Sequence, residues 1–108
     1  MMIRVLVVDD HDLVRMGIVR MLSDSPDIDV IGEAADGETA IIKTKQLKPD
    51  VVLLDVNMPT IGGLEVTKRL LQTDKNTKIL AVSSLVQQPY PSMLIKAGVS
   101  GYITKGTP

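Results

Sequence analysis

The chain has 108 residues, 12 basic and 13 acidic side chains, a net charge of −1, and no cysteine, phenylalanine or tryptophan. This length suits one domain with an aliphatic core. The near-neutral charge gives no electrostatic footprint for nucleic acid or an acidic membrane, and the lack of cysteine excludes disulfides, thiolate metal sites and cysteine nucleophiles. No apolar run is as long as a membrane span, and a strand that begins almost at the first residue leaves no room for a signal peptide, so we expect a cytoplasmic protein.

Apolar runs alternate with amphipathic segments along the whole chain. Residues 3–8 are almost continuously aliphatic, which is typical of a strand buried on both faces. Residues 12–23 then carry Val14, Ile18, Met21 and Leu22 at helical spacing. Further strands are predicted at 28–34, 51–54, 78–82 and about 100–104, and further helices up to Leu47, after Gly62-Gly63 and around 91–97.

This order of elements predicts an α/β domain. Strands separated by helices favour a parallel sheet with right-handed crossovers, and five strands suit the flavodoxin-like, doubly wound order 2-1-3-4-5. The chain stops at Pro108, so we expect a domain truncated before a fifth helix that would pair with the first. Apolar surface beside the first helix would then be exposed, which predicts lower stability or self-association.

Acidic and hydroxyl side chains follow three of the predicted strands at the points where they end. Asp9 and Asp10 follow the first strand, Asp55 the third and Ser83 the fourth. Because the carboxyl ends of parallel strands meet at one edge of a sheet, these groups should lie together. Crowded carboxylates repel one another unless a cation neutralises them, which predicts bound Mg²⁺. Lys105, after the fifth strand, would let the same site hold a phosphoryl group.

Each residue of this predicted site has a specific role. Asp55 is the predicted nucleophile, since it ends the most hydrophobic strand and its carboxylate can accept a phosphoryl group as an acyl phosphate. Asp10 would bind Mg²⁺ directly, Asp9 directly or through water, and the backbone carbonyl of Asn57 could complete the protein ligands. Lys105 would contact the phosphoryl oxygens as a point charge.

Other polar residues near these strand ends receive simpler interpretations. The Ser83 hydroxyl could bond a phosphoryl oxygen, with Ser84 as its competitor. His11, the single histidine, is interpreted as a loop or cap residue and not as a base, and Asp12 as an N-cap. Taken singly, each carboxylate of the predicted site could also be explained as a helix-capping residue. Solvated helix positions are predicted for Arg15, Arg20, Lys43 and Lys45.

Taken together, these motifs resemble the receiver domain of two-component response regulators over essentially the whole chain. Residues 8–18 look like the subfamily whose receivers precede a LuxR-type helix-turn-helix domain, and Pro89-Tyr90-Pro91 is similar to regulators of the GacA/UvrY kind. The motifs that carry the resemblance are Val8-Asp9-Asp10, Leu54-Asp55-Val56-Asn57-Met58-Pro59, Gly62-Gly63, Ser83 and Gly101-Tyr102-Ile103-Thr104-Lys105.

The resemblance implies a phosphorylation switch and not an enzyme. A sensor histidine kinase or histidine phosphotransfer domain would donate the phosphoryl group to Asp55, with Mg²⁺ or Mn²⁺ bound at Asp9, Asp10, Asp55 and the Asn57 carbonyl. One departure is Gly106, because many receivers have a proline after the lysine.

The implied consequence of phosphorylation is a change of surface. Ser83 would swing toward the phosphoryl group and Tyr102 would turn inward, which would alter dimerisation or output-domain contacts. We expect a phosphorylation-linked homodimer, no membrane partner, and DNA binding only through a C-terminal helix-turn-helix domain absent from these residues.

Two alternatives stay open at this point. Haloacid dehalogenase-type phosphatases also use a strand-terminal aspartate and Mg²⁺, but they have a second aspartate where this chain has Asn57. A receiver-like module that is never phosphorylated is the other alternative, and the full set of site residues argues against it.

Overall fold

The computed structural model describes residues 2–55, 63–83 and 98–104 of the chain. The predicted strands and helices that fall in these ranges are present, whereas the short helix predicted around 91–97 lies outside them. The strands are β1 (Ile3–Val8), β2 (Ile28–Ala34), β3 (Val51–Asp55), β4 (Lys78–Ser83) and β5 (Gly101–Thr104), and the helices are α1 (Asp12–Ser23), α2 (Gly37–Leu47) and α3 (Gly63–Thr73).

The five strands form one sheet in the order β2-β1-β3-β4-β5, and every neighbouring pair is parallel. This confirms the predicted flavodoxin-like order. In β1, Val5 to Val8 are all at most 4% exposed, as expected for a strand covered on both faces. The register between β1 and β2 shifts between Val5 and Leu6. At Gly32, opposite Leu6, a Cβ would lie 3.0 Å from the Leu47 side chain, so α2 packs closely against β2 at this position.

The hydrophobic core lies between the sheet and the helices α2 and α3. Aliphatic side chains from β1, β3 and β4 meet Ala40 of α2 and Val66 and Leu70 of α3. Thr44 of α2 and Thr67 of α3 are also fully buried. The core cluster consists of Leu6, Val8, Ala34, Ala40, Val52, Leu54, Val66, Leu70, Ile79, Ala81 and Val99.

Both ends of α2 are fixed by specific hydrogen bonds. The Asp36 carboxylate accepts a hydrogen bond of 2.7 Å from the Thr39 N–H at the N-cap, and this bond lowers the pKa of the Asp36 carboxyl. Lys48 is the C-cap that follows the helix, with a left-handed φ of 50°, and it precedes Pro49. The Arg4 guanidinium donates to the carbonyl oxygens of Leu47 and Lys48 at 2.7 and 2.8 Å. β1 therefore holds the C-terminus of α2.

None of the residues of helix α1 is buried. Of the apolar residues at helical spacing on α1, Val14 is 39% and Met21 71% exposed. Periodicity identifies the apolar side of a helix but not whether another element covers it. That side borders an open groove of about 490 Å³, the apolar groove, lined by Leu13, Val14, Gly17, Ile18, Met21, Val82 and Ile103.

Among the described residues, no helix has the length and hydrophobicity that crossing a membrane requires. The three described helices are amphipathic or polar and have 11 or 12 residues each. A membrane-spanning helix needs about 20.

Candidate functional site

Three carboxylates meet where β1 and β3 end. Val8 of β1 is paired with Leu54 of β3, which places Asp9 beside Asp55 at the carboxyl-terminal edge of the sheet. Asp9 is 0% and Asp55 1% exposed, and the side chain of Asp10 is 27% exposed. We call Asp9, Asp10 and Asp55 the acidic cluster. Their ligand atoms lie within 4.8 Å of one another and of a His11 ring nitrogen, so this predicted convergence of carboxylates is confirmed.

Asp9 is held in place by backbone hydrogen bonds on two sides. Its N–H donates to the Ala34 carbonyl oxygen of β2 at 3.0 Å, and its Oδ1 accepts the N–H of His11 at 2.9 Å. The second bond closes a tight turn between β1 and α1. The carboxylate is therefore positioned by the backbone on either side of it.

The predicted capping role of Asp12 is wrong. His11 occupies the N-cap position of α1 and makes no side-chain capping bond, whereas Asp12 is the first residue of the helix. The chain turns one residue earlier than the capping preference indicates, because Asp9 already accepts the N–H of His11. The Asp12 carboxylate instead accepts a hydrogen bond from Arg15 at 2.9 Å.

His11 is a cap residue by position, as interpreted from the sequence, but its side chain belongs to the site. Its Nδ1 lies 3.4 Å from Asp9 Oδ1 and 3.2 Å from Asp10 Oδ1. The imidazole is 66% exposed and therefore forms the solvent-facing side of the acidic cluster.

The prediction that Arg15 is solvated is also wrong, because its side chain is only 15% exposed. The guanidinium donates to the backbone oxygen of Asp9 at 2.7 Å and to Glu33 of β2 at 3.1 Å, in addition to Asp12. Burial lowers the pKa of Arg15, but the hydrogen bonds to Asp12 and Glu33 outweigh burial and raise it, so the group stays charged. The Asp12–Arg15 spacing is readable from sequence as a helical pair, whereas the contacts with Asp9 and Glu33 are tertiary.

The structure places the remaining predicted site residues only in part. Ser83 ends β4, one residue after the partner of Asp55, so its backbone lies at the same edge as the acidic cluster. Tyr102 lies in β5 opposite Ala81. The side chains of both residues are outside the described part of the structure, as are all atoms of Asn57 and Lys105.

The donor set of the acidic cluster fits a divalent cation. Carboxylate oxygens are the ligands that Mg²⁺ and Mn²⁺ favour, and three of them at one point repel each other without a cation. Asp10 Oδ1 is shielded from solvent and accepts no hydrogen bond from the residues described. Arg15 lies nearby, but its hydrogen bonds go to the backbone oxygen of Asp9 and to the carboxylates of Glu33 and Asp12. None of these bonds occupies the Asp10 carboxylate. Asp9, Asp10 and Asp55 could therefore hold the ion.

A comparison with protein families matches residues 5–108 to the response regulator receiver domain. The chain belongs to this family. Receiver domains are signalling domains of two-component systems and not classical enzymes, so membership separates the chain from the haloacid dehalogenase-type phosphatases.

Individual relatives agree with this assignment. The receiver is 55% identical to the response regulator GacA of Pseudomonas viridiflava and 45% identical to UvrY of Escherichia coli K12, in each case over 97% of this chain. The matched region is 49% of GacA and 48% of UvrY, so the chain spans about half the length of these relatives.

A solved structure supports the subfamily. A LuxR-family response regulator from Aurantimonas sp. SI85-9A1 superimposes with a TM-score of 0.94 and 34% identity, over 99% of this chain and 76% of that one. The resemblance to LuxR-type receivers and to GacA and UvrY, inferred from residues 8–18 and 89–91, is thus confirmed.

Proposed function

We propose that this receiver accepts a phosphoryl group on Asp55 and works as a phosphorylation-controlled switch. The observation that carries the proposal is the position of Asp55, which ends the central strand β3, is 1% exposed and shares the acidic cluster with Asp9 and Asp10. A carboxylate at the carboxyl edge of a parallel sheet is placed where open α/β folds bind their ligands. Its neighbours supply a cation site beside the nucleophile.

In the proposed reaction, an Asp55 carboxylate oxygen attacks the phosphorus atom of a phosphohistidine on a sensor histidine kinase or a histidine phosphotransfer domain. The new P–O bond forms as the P–N bond of the donor breaks, and the donor imidazole leaves with the electron pair of that bond. Mg²⁺, or Mn²⁺ in its place, supplies charge neutralisation when bound. The chain is the acceptor in this step and needs no separate substrate.

The residues of the site divide this work between them. Asp9, Asp10 and Asp55 hold the cation together with the backbone carbonyl of Asn57, and Lys105 contacts the phosphoryl oxygens. The roles of Asn57 and Lys105 are supported by the family resemblance alone, since both lie outside the described residues. Arg15 adds a positioning role, because its bond to the Asp9 carbonyl ties the acidic turn to β2 through Glu33.

The proposed output is a change in surface around β4 and β5. Ser83 moves toward the phosphoryl group and Tyr102 turns inward, which favours a homodimer of the phosphorylated form. We assign residues 1–108 to this one receiver domain. Transcriptional control and DNA binding are proposed for the longer regulator, through a C-terminal helix-turn-helix domain that is not among these residues.

The proposal is tested by intact mass spectrometry after incubation with acetyl phosphate, with and without Mg²⁺. The wild-type protein should gain one labile phosphoryl adduct when Mg²⁺ is present. No adduct should form when the metal is chelated during the incubation. Asp55→Asn should abolish the adduct because the amide is not a nucleophile for this step. Asp29→Asn, at an exposed position on the edge strand β2, is the matched control and should keep it.

Two results would overturn the proposal. An adduct that persists in Asp55→Asn would place the acceptor elsewhere. A folded protein that takes no phosphoryl group from acetyl phosphate or from a histidine phosphotransfer domain would be the phosphorylation-independent module considered above.

A further inference from the structure

We propose that His11 is a nitrogen ligand of the metal site and that it shifts the site's preference from Mg²⁺ toward first-row transition-metal ions such as Mn²⁺ and Ni²⁺. The proposal rests on the cation site of the proposed function and adds one donor to it. Its basis is the convergence of the single imidazole of the chain on the same point as the acidic cluster.

The distances around His11 are those of neighbouring ligands on one ion. Two donors bound at about 2.1 Å lie roughly 3.0 Å apart in an octahedral shell and roughly 3.4 Å apart in a tetrahedral one. His11 Nδ1 lies 3.2 Å from Asp10 Oδ1 and 3.4 Å from Asp9 Oδ1. One ion could therefore contact all three atoms with small adjustments of side-chain torsion.

The backbone fixes the point from which the imidazole extends to the cluster. The His11 N–H donates to Asp9 Oδ1 at 2.9 Å, and His11 is the N-cap residue of α1, so its Cα is fixed by the turn and by the helix. His11 Nδ1 lies 3.2 Å from Asp10 Oδ1, and that oxygen accepts no hydrogen bond from the described residues. The two atoms lie side by side, as ligands do.

An imidazole changes which ions a carboxylate site favours. Mg²⁺ prefers oxygen ligands and gives up its water reluctantly, so a nitrogen donor adds little to its binding. Imidazole suits first-row transition metals, whose affinities rise from Mn²⁺ through Ni²⁺. A site with three carboxylates and one imidazole should therefore bind Mn²⁺ and Ni²⁺ more tightly, relative to Mg²⁺, than the same site without His11.

A plain alternative makes the opposite prediction. If His11 were only a counter-ion to the carboxylates, it would compete with every cation alike. Its removal would then strengthen the binding of Mg²⁺, Mn²⁺ and Ni²⁺ by similar factors.

The test is direct metal binding to the untagged, unphosphorylated receiver in a buffer without nitrogen ligands. Isothermal titration should give His11→Ala a Ni²⁺ affinity lower by about 10- to 100-fold, which is the loss typical even for outer-sphere partners, with Mg²⁺ affinity changed little. The loss for Mn²⁺ should fall between the two. Circular dichroism on thermal unfolding checks that His11→Ala folds, as expected for a side chain that is 66% exposed.

Pulsed electron paramagnetic resonance on the Mn²⁺ form provides the decisive signature. Coupling to ¹⁴N of an imidazole is expected in the wild-type receiver and should vanish in His11→Ala, since the chain has one histidine. Mn²⁺ bound without that coupling, or equal gains in affinity for all three ions in His11→Ala, would overturn the inference while leaving the cation site intact. A wild-type protein that binds none of the three ions would overturn the cation site itself, and with it the metal-dependent part of the proposed function.

Discussion

The two edges of the sheet arrange their charges in opposite ways. At the amino-terminal edge, Arg4 donates to the carbonyl oxygens of Leu47 and Lys48, and its backbone N–H donates to the Asp50 carboxylate at 2.9 Å. At the carboxyl-terminal edge, three carboxylates lie within reach of one another. The first edge therefore places donors against acceptors, and the second gathers groups of like charge.

This difference separates structural charges from functional ones. A paired charge at the end of a helix stabilises the fold whether or not a ligand is present. Like charges held together cost folding free energy, and a bound cation offsets that cost. The arrangement of the acidic cluster thus reduces the folding free energy of the receiver when no cation is bound.

The largest expected effect is at the amino-terminal edge. Arg4→Ala removes both side-chain hydrogen bonds to the C-terminus of α2 and should lower the free energy of unfolding by about 2 kcal/mol. Urea denaturation followed by circular dichroism measures the loss. Arg4→Lys keeps the charge without the planar fork and should lose roughly half as much. A change below about 0.5 kcal/mol in Arg4→Ala would mean that this edge is not a structural clamp.

A smaller effect of opposite sign is expected at the carboxyl-terminal edge. Asp10→Asn removes one of three neighbouring carboxylates, so without metal it should raise the free energy of unfolding by about 1 kcal/mol. At saturating Mg²⁺ the order should reverse, because only the wild-type receiver gains binding free energy. Thermal unfolding in chelator and in Mg²⁺ tests both halves, and wild-type stability above that of Asp10→Asn in chelator would contradict the argument.

The smallest effect concerns the N-cap of α2. Asp36→Ala should cost about 0.5–1 kcal/mol at neutral pH, since Thr39 loses its acceptor. Because folding lowers the pKa of Asp36, its contribution is complete above the unfolded value of about 4 and is lost as the pH falls through the lowered folded value. The stability difference between wild type and Asp36→Ala should therefore shrink in acid.

A neutral cap is the control for that prediction. Asp36→Asn keeps an acceptor for the Thr39 N–H but does not titrate, so its stability relative to Asp36→Ala should not depend on pH in this range. A pH-dependent difference between these two variants would place the titration on another group.

The sequence predicts those features that depend on short-range pattern. The unbroken aliphatic run of β1 reports burial on both faces, and the strand ends at Asp55 and Ser83 follow from where apolar runs stop. Parallel connectivity then brings Asp9 next to Asp55 without further information.

The features that the sequence does not predict depend on contacts between distant segments. Arg15 looks like any helical cation, and its partner Glu33 is 18 residues away on β2. The error at Asp12 is instead local: the residue has the right type for an N-cap, but the turn closed by Asp9 places the cap at His11. The orientation of His11 toward the cluster follows from that shift, which no local preference specifies.

One strand, β1, connects the two edges. It carries Arg4 near its start, its residues from Val5 to Val8 are buried, and Asp9 follows its last residue. If β1 leaves the sheet, the molecule loses the Arg4 hydrogen bonds to the end of α2 and the acidic cluster at the same time. Variants that weaken the sheet should therefore lose metal binding and folded structure in one transition, without a partly folded form that keeps the acidic cluster.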